Sequence, residues 1–289
     1  MSKSRRVAGK AVLVLCVVVL AIALSVAIPV SGKIRREPLS GFAQEEVPTF
    51  FLHGWSGSYK SETHMVNAVQ DAGVTKTMVR VGVSPSGQAT MTSNLPQSAR
   101  NPLIEVSFVD NTNADYTLCG QWFKSVVTTV HAVYPFERYN VVAHSMGNMV
   151  LANYLRDTAG DASLPQLRKQ VDLAGNFNGI IGVDDQPNQM TFDAAGLPSP
   201  QTPEFKALLS LRNTYPQSAE ILNIYGDKGD GTHSDGQVSN ASSRALRYLT
   251  GGRAKSYREL KITGPDAAHS NLHESSQVDR QLVDFIWRR

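Results

Sequence analysis

The sequence predicts an α/β domain, a largely parallel central sheet covered by helices on both faces. Three observations carry this. Short runs rich in β-branched and aromatic residues recur, among them "VPTFFL", "YNVVAH" and "AEILNIYG". Between them lie longer segments with apolar residues at helical spacing. The two kinds alternate from Val47 to the C-terminus, as successive βα units require.

The elements follow in order. "VPTFFLHGWSGS" is an apolar run ending in a glycine-rich loop, as a buried strand ends, and "SETHMVNAVQDAG" has helical spacing with a glycine stop. "TKTMVRVGVS" alternates like a strand, "GQATMTSN" pairs beside it, and "NPLIEVSFVDN" is a further strand. "ADYTLCGQWFKSVVTTVHAVY" reads as a long amphipathic helix, "YNVVAH" as a short buried strand and "GNMVLANYLRDTA" as a helix. "KQVDLAG" is a strand, "TPEFKALLSLRNTY" a helix and "AEILNIYG" a strand, before "SSRALRYLT", "SYRELKIT" and "SQVDRQLVDFIWRR" close the alternation. The stretch 176–203, rich in Gly, Pro, Asn and Asp, is too long for an ordinary connector and is expected to form part of a rim or lid.

The N-terminus reads separately. Lys3, Arg5, Arg6 and Lys10 precede an apolar run from Ala11 to Ile28, which implies an export signal or a membrane anchor over residues 1–31. The run lies between the usual length of a cleavable signal and that of a spanning helix, and "SVA" at Ser25 to Ala27 suits a signal peptidase. Both alternatives stay open. The basic flank keeps this end in the cytoplasm, although Lys33, Arg35 and Arg36 weaken the bias, and the globular part is expected outside the membrane. Residues 32–46 are polar and read as a tether, and residues 47–289 as one domain.

Composition narrows the function. The formal net charge is +3, with no long basic run after the first few dozen residues, so nucleic acid is not an expected partner. Of the two cysteines, Cys16 lies in the apolar leader, which leaves Cys119 without a disulfide partner in the domain.

The chemistry concentrates in "AHSMG". A nucleophilic serine has to be held up at the end of a sheet on a tight strand-to-helix turn, and such a turn needs small neighbours. Ala143 stands two residues before Ser145 and Gly147 two after it. An ordinary turn with a helix-capping serine is the plainer alternative. Serine needs a base, an acid and oxyanion donors. "YGDKGDGTHSDGQVSNASS" offers Asp227, Asp230 and Asp235, and Asp235 is preferred because Val238 can anchor its loop; Asp227 is the runner-up. The spacing of these aspartates misses the calcium-loop pattern. "GPDAAHSNLHESSQV" offers His269 and His273. His269 is preferred, since it comes first after "LKIT", with His273 beginning or capping the following helix. For the oxyanion, the backbone N–H groups of Met146 and of Trp55 in "HGWSGS" are the expected donors. The Trp55 side chain is expected to line the pocket, His53, His144 and His233 to support, and His64 and His131 lie in helices with no motif around them.

These residues resemble the α/β-hydrolases, in particular the bacterial secreted lipases and esterases with an "AHSMG" elbow. "FFLHGWSGSYKS", "AHSMGN", "SDGQVSNASS" and "AHSNLHESSQVDRQLVDFIW" are similar to the exported Gram-positive hydrolases grouped as the domain-of-unknown-function 915 family, over Val47 to the C-terminus. The resemblance implies the α/β-hydrolase fold, a nucleophile at Ser145, an acid at Asp235, a base at His269, oxyanion donors at Trp55 and Met146, and an N-terminal membrane anchor in many relatives. Ala143 and Asn148 depart from the commoner glycines without removing a chemical group. The expected reaction is hydrolysis of a small-molecule or lipid carboxylic ester through an acyl-enzyme, without a cofactor. Thioesterase, amidase and acyltransferase activity on the same triad, or a non-catalytic surface-binding role, are the alternatives.

Overall fold

The computed structural model describes residues 41–289; the expected leader or anchor and most of the tether lie outside them. The chain builds β1 (Thr49–Leu52), α1 (Tyr59–Asp71), β2 (Met78–Val83), β3 (Ala89–Met91), β4 (Leu103–Phe108) and α2 (Tyr116–Val133). β5 (Arg138–His144), α3 (Met146–Asp157) and β6 (Gln166–Leu173) follow. Next come the short pair β7 (Thr191–Phe192) and β8 (Pro198–Ser199), then α4 (Pro203–Ala207), α5 (Leu211–Thr214) and β9 (Glu220–Asp227). The chain ends with α6 (Asn240–Arg244), α7 (Leu246–Thr250), β10 (Ser256–Thr263), two 3-10 turns and α8 (Ser276–Trp287).

Eight strands form one sheet in the order β10-β9-β6-β5-β1-β4-β2-β3, parallel except for the antiparallel edge pair β2 and β3. Parallel strands buried on both faces need apolar residues at odd and even positions alike, which is why "TFFL" lacks a polar stripe. Phe50 and Leu52 point into a core shared with α2 and α3, whereas Phe51 points into a second core with α1 and α8. Edge-to-face contacts between Phe50 and both Phe123 and Tyr139 fill the first core, with centroids 5.6 and 5.8 Å apart. α1 starts on a reciprocal cap: Lys60 N–H donates to Ser58 Oγ, and Ser58 N–H donates to Ser61 Oγ. Among the described residues no helix is long and apolar enough to cross a membrane.

Three differences from the sequence reading have local causes. "TPEFKALLSLRNTY" forms two short helices, because a turn after Ala207 lets Phe205, Leu208 and Leu211 all bury. His273 neither begins nor caps a helix; it belongs to the 3-10 turn His269–Glu274, and Ser275 caps α8. Residues 41–46, read as the end of the tether, are tied to the domain: Ala43 N–H donates to Trp287 O, Gln44 Nε2 to Val74 O, and Arg168 pairs with Glu45.

Candidate active site

β5 delivers Ser145 to the C-terminal edge of the sheet, the edge at which α/β folds gather their sites. Ser145 has φ 51 and ψ −119, a conformation that side chains other than glycine rarely adopt. The turn is held from three sides. A Cβ on Gly147 would stand 2.5 Å from Leu52 O, so only glycine lets α3 start this close to β1. Ser145 N–H donates to Leu173 O, and the Asn148 amide donates to both Ser145 O and Leu173 O at 3.0 Å. Asn148, a departure from the commoner glycine, therefore ties the elbow to the end of β6. The Ser145 hydroxyl does not cap α3.

It meets His269 instead. Ser145 Oγ lies 2.9 Å from His269 Nε2, and His269 Nδ1 lies 2.8 Å from Asp235 Oδ2. A carboxylate oxygen accepts, so Nδ1 carries the proton and Nε2 presents its lone pair to the serine hydroxyl. All three side chains are buried. Asp235 Oδ1 accepts from the N–H groups of Gln237 and Val238 at 2.8 and 2.7 Å, and His269 N–H donates to Asp235 O at 3.0 Å. The loops that carry Asp235 and His269 close on each other over the end of β9. A Cβ on Gly226 would lie 2.0 Å from Ala267 O and 3.0 Å from Asp235 Cβ, so this glycine is what lets them meet.

Asp227, the runner-up, leaves the same strand in another direction. It accepts from Gly229 N–H and Asn240 Nδ2 at 3.0 Å and lies 3.3 Å from Lys261 Nζ and 3.5 Å from His233. Burial pushes its carboxyl up, but these donors outweigh that and hold it below the usual range.

The loop after β1 lies against the elbow. His53 Nδ1–H donates to Gly54 O at 2.8 Å while its Nε2 accepts from Phe108 N–H at 3.1 Å. The ring is thus a neutral strut, and burial lowers its pKa further. A Cβ on Gly54 would lie 3.0 Å from Ser145 Cβ, which places this loop against the elbow. Among the described hydrogen bonds, neither Trp55 N–H nor Met146 N–H donates to a protein acceptor.

Supporting groups were harder to read in the chain. His144 Nε2–H donates to His269 O at 3.1 Å, and its ring lies tilted to that of His269 and edge-to-face with that of His273, with centroids 4.8 and 4.6 Å apart. Burial, followed by the neighbouring imidazoles, holds His144 well below the usual histidine range. His64, which no motif marked, faces Asp279 on α8 at 2.9 Å and Glu274, the last residue of the His269 turn, at 3.4 Å. It staples that turn to two helices, and no local pattern announces such a contact. Beside it Glu62 is fully buried with neither carboxyl oxygen bonded, and burial raises its pKa well above the usual range. Cys119 is no rival nucleophile, since burial raises its thiol to about 12. Among the described residues no cluster fit to hold a metal occurs.

A cleft of about 450 Å³ opens beside Ser145 and His269, walled by Trp55, Tyr116, Ile180 and Val183. The loop that carries Ile180 and Val183 belongs to the stretch 176–203, and it is pinned rather than loose. Asn178 Nδ2 donates to Pro200 O, Ser242 Oγ to Gly179 O, and Ser239 Oγ to Asp185 Oδ2.

The comparisons with known proteins agree with this architecture. Residues 37–289 match a family model described as "Alpha/beta hydrolase of unknown function (DUF915)". Among solved structures, a gene product of Listeria innocua is similar with a TM-score of 0.76 at 27% identity, over 84% of this chain and 94% of that one. A proposed cell surface hydrolase of Lactobacillus plantarum WCFS1 is similar with a TM-score of 0.66 at 19% identity, over 83% of this chain and 89% of that one. A search of curated protein sequences found no match. With the sheet order, the elbow and a family match over most of the chain in hand, the fold is that of the α/β-hydrolases, and the chain belongs to the α/β-hydrolase family of unknown function DUF915.

Proposed function

We propose that this hydrolase cleaves carboxylic esters with Ser145 as nucleophile, His269 as general base and acid, and Asp235 as the group that orients the imidazole. The observation that carries the reading is the unbroken hydrogen-bond chain Asp235–His269–Ser145, at 2.8 and 2.9 Å. Ser145 Oγ attacks the ester carbonyl while His269 Nε2 takes its proton. The N–H groups of Trp55 and Met146 receive the oxyanion. The carbon–oxygen bond to the alcohol then breaks, and His269 returns the proton to the leaving oxygen. Water attacks the acyl-enzyme by the same route and releases the acid.

Residues 1–31 are proposed to act as an export signal or anchor, followed by a short tether, with the domain on the outer face of the membrane or secreted. The basic-then-apolar start supports this, as does the description of the Lactobacillus relative as a cell surface protein. No cofactor enters the mechanism, because triad and backbone supply base, nucleophile and oxyanion donors.

A fluorophosphonate probe tests the reading. Ser145 of the wild type is expected to label, and Ser145→Ala to lose label and about 10³–10⁶-fold in turnover with its Tm nearly unchanged. An unlabelled, folded wild type would discard the mechanism.

A further inference from the structure

Two clefts of opposite character meet at the elbow, and Ser145, His269, Trp55 and Gln237 line both. The first, of about 450 Å³, has apolar walls from Tyr116, Ile180, Val183 and Val238, and carries Asp184 and Glu204. The second, of about 340 Å³, is walled by Ser56, Ser61, Ser270, His144 and His273, with the backbone of Gly54 and Gly57. Among the described residues, no Asp, Glu, Lys or Arg lines it. Two of its three imidazoles, those of His144 and His273, are held below the usual histidine range, chiefly by burial. The second cleft thus offers hydroxyls and an amide, groups that both donate and accept, and no counter-ion for a charged head.

A tetrahedral intermediate on Ser145 has to send its acyl chain and its alcohol in different directions. The alcohol oxygen leaves with the proton that His269 took from Ser145, so it departs beside the His269 turn. That turn contributes Ser270 and His273 to the polar cleft. An acyl chain gains by burying carbon in the apolar cleft and loses by displacing water from serine hydroxyls.

We propose that the polar cleft is the alcohol subsite and selects esters of a neutral, hydroxyl-rich alcohol, a polyol or a sugar, while the apolar cleft takes the acyl chain. This rests on the reading of Ser145 as nucleophile. An anionic phosphate ester finds no cation in the polar cleft, and a quaternary amine finds no carboxylate there. Ser61 Oγ already accepts from Ser58 N–H, and Ser56 and Ser270 are exposed, so a polyol gains hydrogen bonds to these hydroxyls and to Gln237 that a plain alkyl alcohol cannot make.

The test holds the acyl group constant. Octanoyl esters of glycerol, glucose, butanol and choline are compared by kcat/KM on the wild type, with fluorophosphonate labelling alongside. The glycerol or glucose ester is expected to exceed the butyl and choline esters by about tenfold or more. Ser270→Leu should narrow the polyol-over-butyl ratio, and Val183→Ser should lower the octanoyl-over-acetyl ratio with the alcohol ratio kept. A labelled wild type that prefers the butyl or choline ester, or shows no preference, overturns the alcohol assignment alone. A wild type that neither labels nor turns over any ester overturns both this proposal and the reading beneath it. The wild-type panel decides even where a variant does not fold.

Discussion

Asp235 and Asp227 flank one loop after the same strand, both buried, and their surroundings send them to different work. Asp235 spends one oxygen on two backbone N–H groups and turns the other to His269. Asp227 spends its oxygens on Gly229, Asn240 and Lys261, on the far side of the loop. A third buried carboxyl, Asp172 on β6, accepts only from Gln170, and its Oδ2 has no partner. Burial raises Asp172 to about 7. The comparison teaches that partners and not depth set a buried carboxyl's use: donors keep it charged, an imidazole gives it a direction, and their absence makes it hold its proton.

The largest expected effect breaks the first of these. Asp235→Asn should cost about 10⁴-fold in kcat by analogy with triad acids, read as ester turnover by a protein with normal circular dichroism. Gly226→Val comes next. Its side chain has no space against Ala267 O, so the His269 loop must lift from the Asp235 loop. Turnover should fall by about 10²-fold and stability by about 1–3 kcal/mol, seen in paired kinetics and urea melts.

Asp227→Asn should change kcat less than about fivefold, since only Asp235 reaches the imidazole and losses of triad scale belong to the residue that orients the base. A loss with Asp227→Asn that exceeds the loss with Asp235→Asn would reverse the assignment of the acid.

The smallest effect is on pH-dependent stability at Asp172. Below pH 3.8 both folded and unfolded chains hold this proton. As pH rises toward about 7 the unfolded chain releases it while the folded chain keeps it, so stability falls across that window and levels off above it. Asp172→Asn removes the titration, and urea midpoints from pH 4 to 8 should show a shallower decline than the wild type.

Much of this was legible in the chain because it is written at short range. A period-two apolar run, a helical stripe and a glycine stop are local patterns, and they marked the sheet strands in order. The elbow is equally local, since Ala143 and Gly147 stand within two residues of Ser145 and the packing they allow is decided there. The sequence favours Asp235 over Asp227 because Val238 can anchor its loop; in the structure Val238 is buried and its N–H donates to the Asp235 carboxyl. The break in "TPEFKALLSLRNTY" was not legible, because its spacing fits one helix and only burial of Leu208 beside Leu211 splits it.

The sequence by itself determined the alternation of strands and helices, the serine at the turn between β5 and α3, and a short set of aspartates and histidines as its candidate partners. Tertiary structure decided which of them meet. Ser145 and His269 are 124 residues apart, and His269 and Asp235 34 apart. Their contact depends on Gly226 yielding space to Ala267 and on His64 fastening Glu274 to α1. It depends also on His144 holding the His269 carbonyl. Those are contacts between segments distant along the chain, and they come into being only when the sheet assembles, because no spacing within one segment encodes a distance to another.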